Sequence, residues 1–376
     1  MNSIGCRDTV GIDLGDTFSY VCILDPQGRV TRRFRHPTTP KAFRAHHERR
    51  ASSLVVIETG THSPWISRLL KECGHEVIVA NARRVALISR SKKKTDREDC
   101  ELLARMGRAD PALLAPIEHR GEESQLDLTT LRARGAAIRA RTLLINAVRG
   151  LVKSCGERLP KCGSATFHKV AGKHMPQQLK ESLEPLVGLI EANTTLIKAY
   201  DKQVKALCTK HQPTGHLQAV TGVGPIASLT FVLTIEDPRR FRRSRQVGAY
   251  VGLTPRLSES GDSKPQLRIT KAGDVDLRTL LVTSAQYILG PWGPDSDLRR
   301  CGLTLAERGA KNGKKRAVVA VARRLAVLLH HLWKTGEVYD PLHLARRRGE
   351  ADDPTKMRLP RARGKSKKEQ LLASSS

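Results

Sequence analysis

The stretch Val10-Gly-Ile-Asp-Leu-Gly15 constrains this chain more than any other, because it sets a carboxylate near the end of an otherwise apolar strand. The pattern returns in SLVVIE (Ser53–Glu58), where Glu58 closes a second apolar run. Val10–Leu14, Phe18–Leu24 and Val30–Phe34 read as three strands, with turns at Gly15-Asp16 and Asp25-Pro-Gln-Gly28 between them. A helix around Pro40–Arg50, the Ser53–Glu58 strand, a helix in SPWISRLLKECG and a strand in HEVIVAN follow. A meander followed by alternating helices and strands predicts an α/β sheet of mixed strand direction.

Two more acids lie in KKKTDREDCELLAR. Thr95 is placed as an N-cap and Glu98 completes a capping box, so a helix starts there, with Asp96 and Asp99 on one face of its first turn. Singly, each acid has an ordinary explanation: first-turn acids favour the helix dipole, and strand-end acids cap turns. Crowded together, Asp13, Glu58, Asp96 and Asp99 repel one another unless cations neutralise them. Two Mg²⁺ ions about 4 Å apart, with Mn²⁺ as the alternative, would do so and would clamp the attacking and leaving oxygens of a phosphodiester.

IDLGDT admits two readings: the phosphate hairpin of an actin-like ATPase, or the first strand of a ribonuclease-H-like nuclease whose aspartate holds metal. The ATPase needs a second Asp-x-Gly loop, and Asp13-Leu-Gly15 is the only one in the chain; a G-x-x-x-x-G-K-[ST] loop is absent too. The nuclease reading prevails. Charge agrees with it: 66 Lys and Arg against 37 Asp and Glu give +29 and call for a polyanion. The basic residues recur along the whole chain, which favours nucleic acid over a membrane surface.

Eight scattered cysteines include no C-x-x-C pair and read as reduced thiols without zinc. No signal pattern and no membrane-spanning apolar run is seen, so a cytoplasmic, nucleoid-associated prokaryotic protein is expected.

Leu126–Cys155 and Gln177–Leu207 read as two long helices, joined by a loop or hinge in CGERLPKCGSATFHKVAGKHMP. They suggest an antiparallel arm or coiled coil, although no clean heptad is sustained. The expected domains are 8–118 (α/β), 119–212 (helical arm), 213–345 (mostly α-helical) and a basic disordered tail, 346–376.

In the third of these, Gly222-Val-Gly224-Pro225 between two apolar helical patterns looks like a helix–hairpin–helix, a motif that binds the DNA backbone. Arg239, Arg240, Arg242, Arg243 and Arg245 are too dense to be paired locally and predict phosphate contact. Arg132, Arg134, Arg139, Arg141 and Arg149 form a basic helix face of the same kind. Lys92, Lys93 and Lys94, Lys271, and Lys311, Lys314, Lys315 and Arg316 extend the candidate nucleic-acid surface; a solvated basic face is the plain alternative for any one run.

These residues resemble the transposases of the insertion-sequence-110 group, the DEDD transposases, over nearly the whole length to about Pro341. GIDLG, IETGTHSPW and KTDREDCELLA carry the four acids in the family's order; GVGPIAS, DPRRFRRSRQVGAYVGLTP, SESG, RITKAGDVDLRTLL and GKKRAVVAVARRLAVLLHHLW follow in sequence. One departure is Glu58-Thr59-Gly60, where many relatives have one more residue between acid and glycine.

The resemblance implies a Holliday-resolvase-like (RuvC-like) N-terminal domain with a ribonuclease-H-like fold, and a C-terminal transposase domain. It implies catalysis by Asp13, Glu58, Asp96 and Asp99 with Mg²⁺, and by Ser260 of SESG as nucleophile, with Ser258 and Ser263 as neighbouring alternatives. It further implies donor and target DNA and a structured guide RNA as partners. A homo-oligomer, dimer or tetramer, is expected, with Ser260 of one protomer meeting the acids of another. The competing functions are a junction-resolving endonuclease that uses water, and a non-catalytic nucleic-acid-binding scaffold.

Overall fold

The computed structural model describes residues 7–88, 95–261, 263, 265, 267–308 and 312–349. The chain divides into two compact units at Glu122/Glu123.

The first unit is built on five strands, β1 (Thr9–Leu14), β2 (Phe18–Leu24), β3 (Val30–Pro37), β4 (Leu54–Glu58) and β5 (Glu76–Ala80), in the order β3-β2-β1-β4-β5. β1–β2 and β2–β3 are antiparallel; β1–β4 and β4–β5 are parallel. This mixed topology is the one expected of a ribonuclease-H-like sheet. Helix α1 (Pro40–His47) follows β3, and α2 (Ser63–Glu72) joins β4 to β5. α3 (Ala82–Ile88) and α4 (Asp96–Ala109) come next, then a 3-10 turn at Pro111–Leu114.

Strand alternation splits the core in two. Val10, Ile12, Val55, Ile57 and Val79 pack with Phe43 of α1 and with Ile66, Leu69 and Leu70 of α2. Leu54, Val56, Ile78 and Ala80 face the other way, onto Leu103 and Met106 of α4. β4 is therefore buried on both faces, which is why SLVVIE shows an unbroken apolar run instead of alternation.

The second unit opens with two long helices, α5 (Glu122–Ser154) and α7 (Gln177–Lys210). They run antiparallel: Arg134 Nε bonds Asp201 at 2.7 Å, and Lys210 and His211 meet Asp127 at 2.8 and 2.7 Å. The segment between them, expected to be a loop or hinge, instead holds helix α6 (Phe167–His174). Leu159, Phe167 and Ala171 are buried against Ile145, Val148, Leu183 and Ile190, so apolar packing closes the tip of the pair.

α8 (Pro213–Leu217) and α9 (Pro225–Ile235) follow, then a 3-10 turn at Pro238–Arg240, α10 (Arg245–Tyr250), α11 (Val275–Leu289), α12 (Asp297–Glu307), α13 (Gly313–Thr335) and α14 (His343–Arg347). α9 is apolar on every side because it lies at the centre. Phe231, Val232 and Ile235 join a core with α11 and α13, while Leu229 and Leu233 pack on Leu128 of α5 and Val204 of α7. α14 begins before Arg346, where the tail was expected to start; residues 350–376 lie outside the described residues.

Candidate nucleic-acid-processing site

Gly11 and Val56 are register partners on β1 and β4, and α4 rests on both. A Cβ on Gly11 would lie 2.0 Å from the Cys100 carbonyl oxygen, and one on Gly107 would lie 2.3 Å from Val56. Two residues along, on the same faces of the same strands, stand Asp13 and Glu58. They are the residues that follow the register pair Ile12 and Ile57. Thr95 caps α4 through the Glu98 N–H, so Asp96 and Asp99 occupy the first turn beside Cys100. The Cys100 thiol is pushed up by its hydrogen bond to Cys22, by burial and by the charge of Asp13. The same contact draws the Cys22 thiol down. Asp13 thus acts electrostatically on the first turns of α4.

The two strand ends and the α4 N-terminus bring Asp13, Glu58 and Asp99 to one side of the sheet; all three are half-buried, and Asp96 is exposed. Among the described residues, no three His, Cys, Asp or Glu side chains already stand at ligating distance. Oxygen donors alone, at the ends of two central strands, suit a hard divalent cation.

Ser260 lies at the end of an extended excursion from the helical core. Thr270 N donates to Thr254 O, Arg256 N to Arg268 O, and Ser260 and Ser263 exchange backbone hydrogen bonds, so the described residues form a narrow hairpin. Ser260 is exposed, as are Ser258 and Ser263. At the base, Gly252 (φ +70°) and Gly273 (φ +71°) allow the two chain segments to touch: a Cβ on Gly252 would sit 2.2 Å from Ala272 O, and one on Gly273 2.0 Å from Tyr250 O. The buried Arg278 guanidinium donates to Val251 O and Ala272 O and ties both segments to α11.

The basic residues separate into two groups. Arg239 pairs with Asp237, and Arg240 donates to Ile235 O and lies over Tyr250, so these two are locally engaged after all. Arg242, Arg243 and Arg245 are exposed on a firmly held segment. Lys334 donates to Phe241 O and Arg242 O, and the buried His330 meets Pro238 O at 2.8 Å and Ser244 Oγ at 2.9 Å. On α5, Arg134, Arg141 and Arg149 turn inward to Asp201, Thr194 and the carbonyls of Leu159 and Pro160. They tie α5 to α7 and to the segment between them, which leaves Arg139 exposed and Arg132 within 3.8 Å of Asp274.

Lys271 is exposed with φ +54° at the hairpin base. Lys314, Lys315 and Arg316 are exposed in the first turn of α13, where positive charge opposes the helix dipole. Lys92–Lys94 and Lys311 lie outside the described residues.

Gly222 (φ +82°) packs its backbone against Ser284 and Tyr287 of α11, and Gly224 is the exposed N-cap of α9. They line a cleft of about 700 Å³ with Lys205, Pro225, Leu280 and Tyr287.

Sequence reading missed Arg278, His330 and a Ser63–His119 contact of 2.9 Å. Each has at least one partner remote in sequence, so no local spacing betrays the whole contact. The described cysteines are all free thiols, and among the described residues no helix is long and apolar enough to cross a membrane.

Residues 10–156, which include all four acids, match the family model of the IS110-type DEDD transposases, described as "Transposase". Residues 215–297, which include Gly222 to Arg245 and Ser260, match the model described as "Transposase IS116/IS110/IS902 family". The chain is 28% identical to the transposase for insertion sequence element IS1111A of Coxiella burnetii, over 88% of this chain and 90% of that protein. It is 28% identical to the "Probable family 20 transposase" of Pseudomonas aeruginosa, over 77% and 86%. It is 22% identical to the pilin gene-inverting protein of Moraxella bovis, over 79% and 85%. Two family models that follow one another along the chain, each spanning its own set of candidate residues, give one conclusion: the chain belongs to the IS110 family of insertion-sequence transposases.

Proposed function

We propose that this transposase cuts and rejoins DNA with Ser260 as its nucleophile and a divalent cation held by Asp13, Glu58, Asp96 and Asp99. The observation that carries the reading is the convergence of two adjacent strand ends and the acid-bearing first turn of α4 on one side of the sheet. A cation bound there supplies charge neutralisation at the scissile phosphate. Ser260 Oγ forms a bond to phosphorus, the phosphodiester oxygen leaves as a deoxyribose hydroxyl, and a phosphoserine link preserves the bond energy for rejoining. RLSESG (256–261) contains no His or Lys to serve as a dedicated base, and the acids of a second protomer are assigned to the same phosphate.

The α8–α9 turn is read as a helix–hairpin–helix that follows the DNA backbone, and the α5–α7 pair as a coiled-coil arm. A structured RNA from the element is assigned the choice of DNA sequence. That assignment follows the family resemblance, the +29 charge and the scarcity of aromatic residues, 4%, for stacking on bases.

Asp13→Asn and Asp99→Asn should each abolish strand cleavage and leave the melting transition in place, since relief of carboxylate repulsion does not unfold the sheet. Near-normal cleavage by Asp13→Asn defeats the metal reading. Cleavage that leaves no protein–DNA adduct favours water as the nucleophile.

A further inference from the structure

We infer that Ser63 and His119 are positioning residues for Glu58, closing the loop that follows it into a hydrogen-bonded ring. The inference rests on the reading of Glu58 as a ligand. The loop leaves β4 at Glu58 and re-enters structure at α2. Its near side is fixed to β5, where Thr59 gives both its N–H (3.0 Å) and its hydroxyl (2.7 Å) to Ala80 O. Its far side turns on one oxygen. Ser63 Oγ accepts from Gly60 N (3.0 Å), lies 2.8 Å from Gly60 O and 2.9 Å from His119 Nε2.

A hydroxyl has one proton and two lone pairs. With Gly60 N–H on one lone pair and the hydroxyl proton on Gly60 O, the second lone pair is filled by an N–H from His119. All three capacities of Ser63 are then used, as burial at 0% exposure requires. The ring is the Nε2–H tautomer, and it stays neutral. Burial holds His119 down at about 4, helped by the charges of Arg68, Arg120 and Lys71. His119 is itself anchored, because Ile117 N donates to Val79 O on the outer edge of β5. The loop after Glu58 is thus pinned from β5 on one side and from the 117–120 segment on the other.

A Ser–His pair at hydrogen-bond distance also suggests a nucleophile and its base. Burial excludes that role for Ser63, and a histidine that donates to the serine cannot take its proton. What remains is the work of supporting residues around a ligand, whose loss weakens metal affinity 10- to 100-fold in known sites, roughly.

The test uses full-length protein and Mn²⁺, with the free ion followed by electron paramagnetic resonance. His119→Ala and Ser63→Ala should each weaken Mn²⁺ binding about tenfold with a cooperative melt retained. The double variant should be no weaker than either single one, because one hydrogen-bonded unit is lost once. His119→Gln, whose amide N–H can replace Nε2–H, should recover most of the affinity. Glu58→Gln serves as the reference. Lost binding there with His119→Ala within about twofold of the unmodified chain overturns this inference alone. Unchanged binding in Glu58→Gln overturns the ligand reading and this inference with it. Nitrogen-15 NMR of the unmodified protein is independent of any variant's folding: a His119 Nδ1–H tautomer overturns the ring.

Discussion

Gly11 sets how near α4 comes to the sheet. Its missing side chain lets the Cys100 carbonyl approach to where a Cβ would be only 2.0 Å away, and that contact brings the first turn of α4 alongside Asp13. Gly11→Ala should therefore act twice. Overpacking should cost about 1–3 kcal/mol of stability, read from denaturant midpoints, and the displaced helix should lose cleavage well beyond that. If cleavage stays near normal in the folded variant, α4 does not need its present height. At this scale the sequence was legible where chemistry and periodicity coincide. Asp13 and Glu58 stand out because they end apolar strands, and Thr95 because a cap precedes an acid-rich turn. Ser63 and His119 were hidden, since a serine after a strand and a histidine before a helix become partners only when 56 residues of chain close on themselves.

The elements show what spacing does and does not carry. The strands of the meander and their order were readable from alternation and turns. The two long helices α5 and α7 were readable from length, but not the direction in which the arginines of α5 point. Arg134, Arg141 and Arg149 look like a phosphate-binding face on a helix drawn alone and become internal ties once α6 and α7 are packed on it.

Between β3 and α1 lies another hidden feature. His36 and His47 are buried against Phe43, with His75 edge-on to His47, and among the described residues neither nitrogen of His47 has a hydrogen-bond partner. Burial, then the charges of His36, His75, His46 and Arg50, push His47 from its ordinary 6.5 down to about 3. His36 moves the same way, also through burial. The unfolded chain takes up protons that the folded chain refuses. Stability is therefore full above about 6.5 and falls as the pH drops toward about 3. Denaturant midpoints at a pH of about 7.5 and about 5 should record the loss, and His47→Phe should reduce it. An unchanged acid slope in that variant would place the sensitivity elsewhere.

For the whole molecule, a net charge of +29 works against compactness and toward polyanions, so bound DNA should also raise the melting temperature of the folded chain. The assignment of one phosphate to two protomers has a direct check. Ser260→Ala and Asp13→Asn proteins, each inactive, are mixed and allowed to exchange subunits. Mixed oligomers should regain cleavage at sites built from the two intact halves; mixed oligomers that form and stay inactive rule out the shared site.

The Gly252–Gly273 contact reaches further still. Where a chain leaves a core and returns at nearly the same point, the core does not register what was inserted between. Ser260 is carried on such an insert, held by two glycines and one arginine. The proposed nucleophile is thus modular: a change confined to its hairpin leaves the contacts at the base, and the helices beneath, as they are.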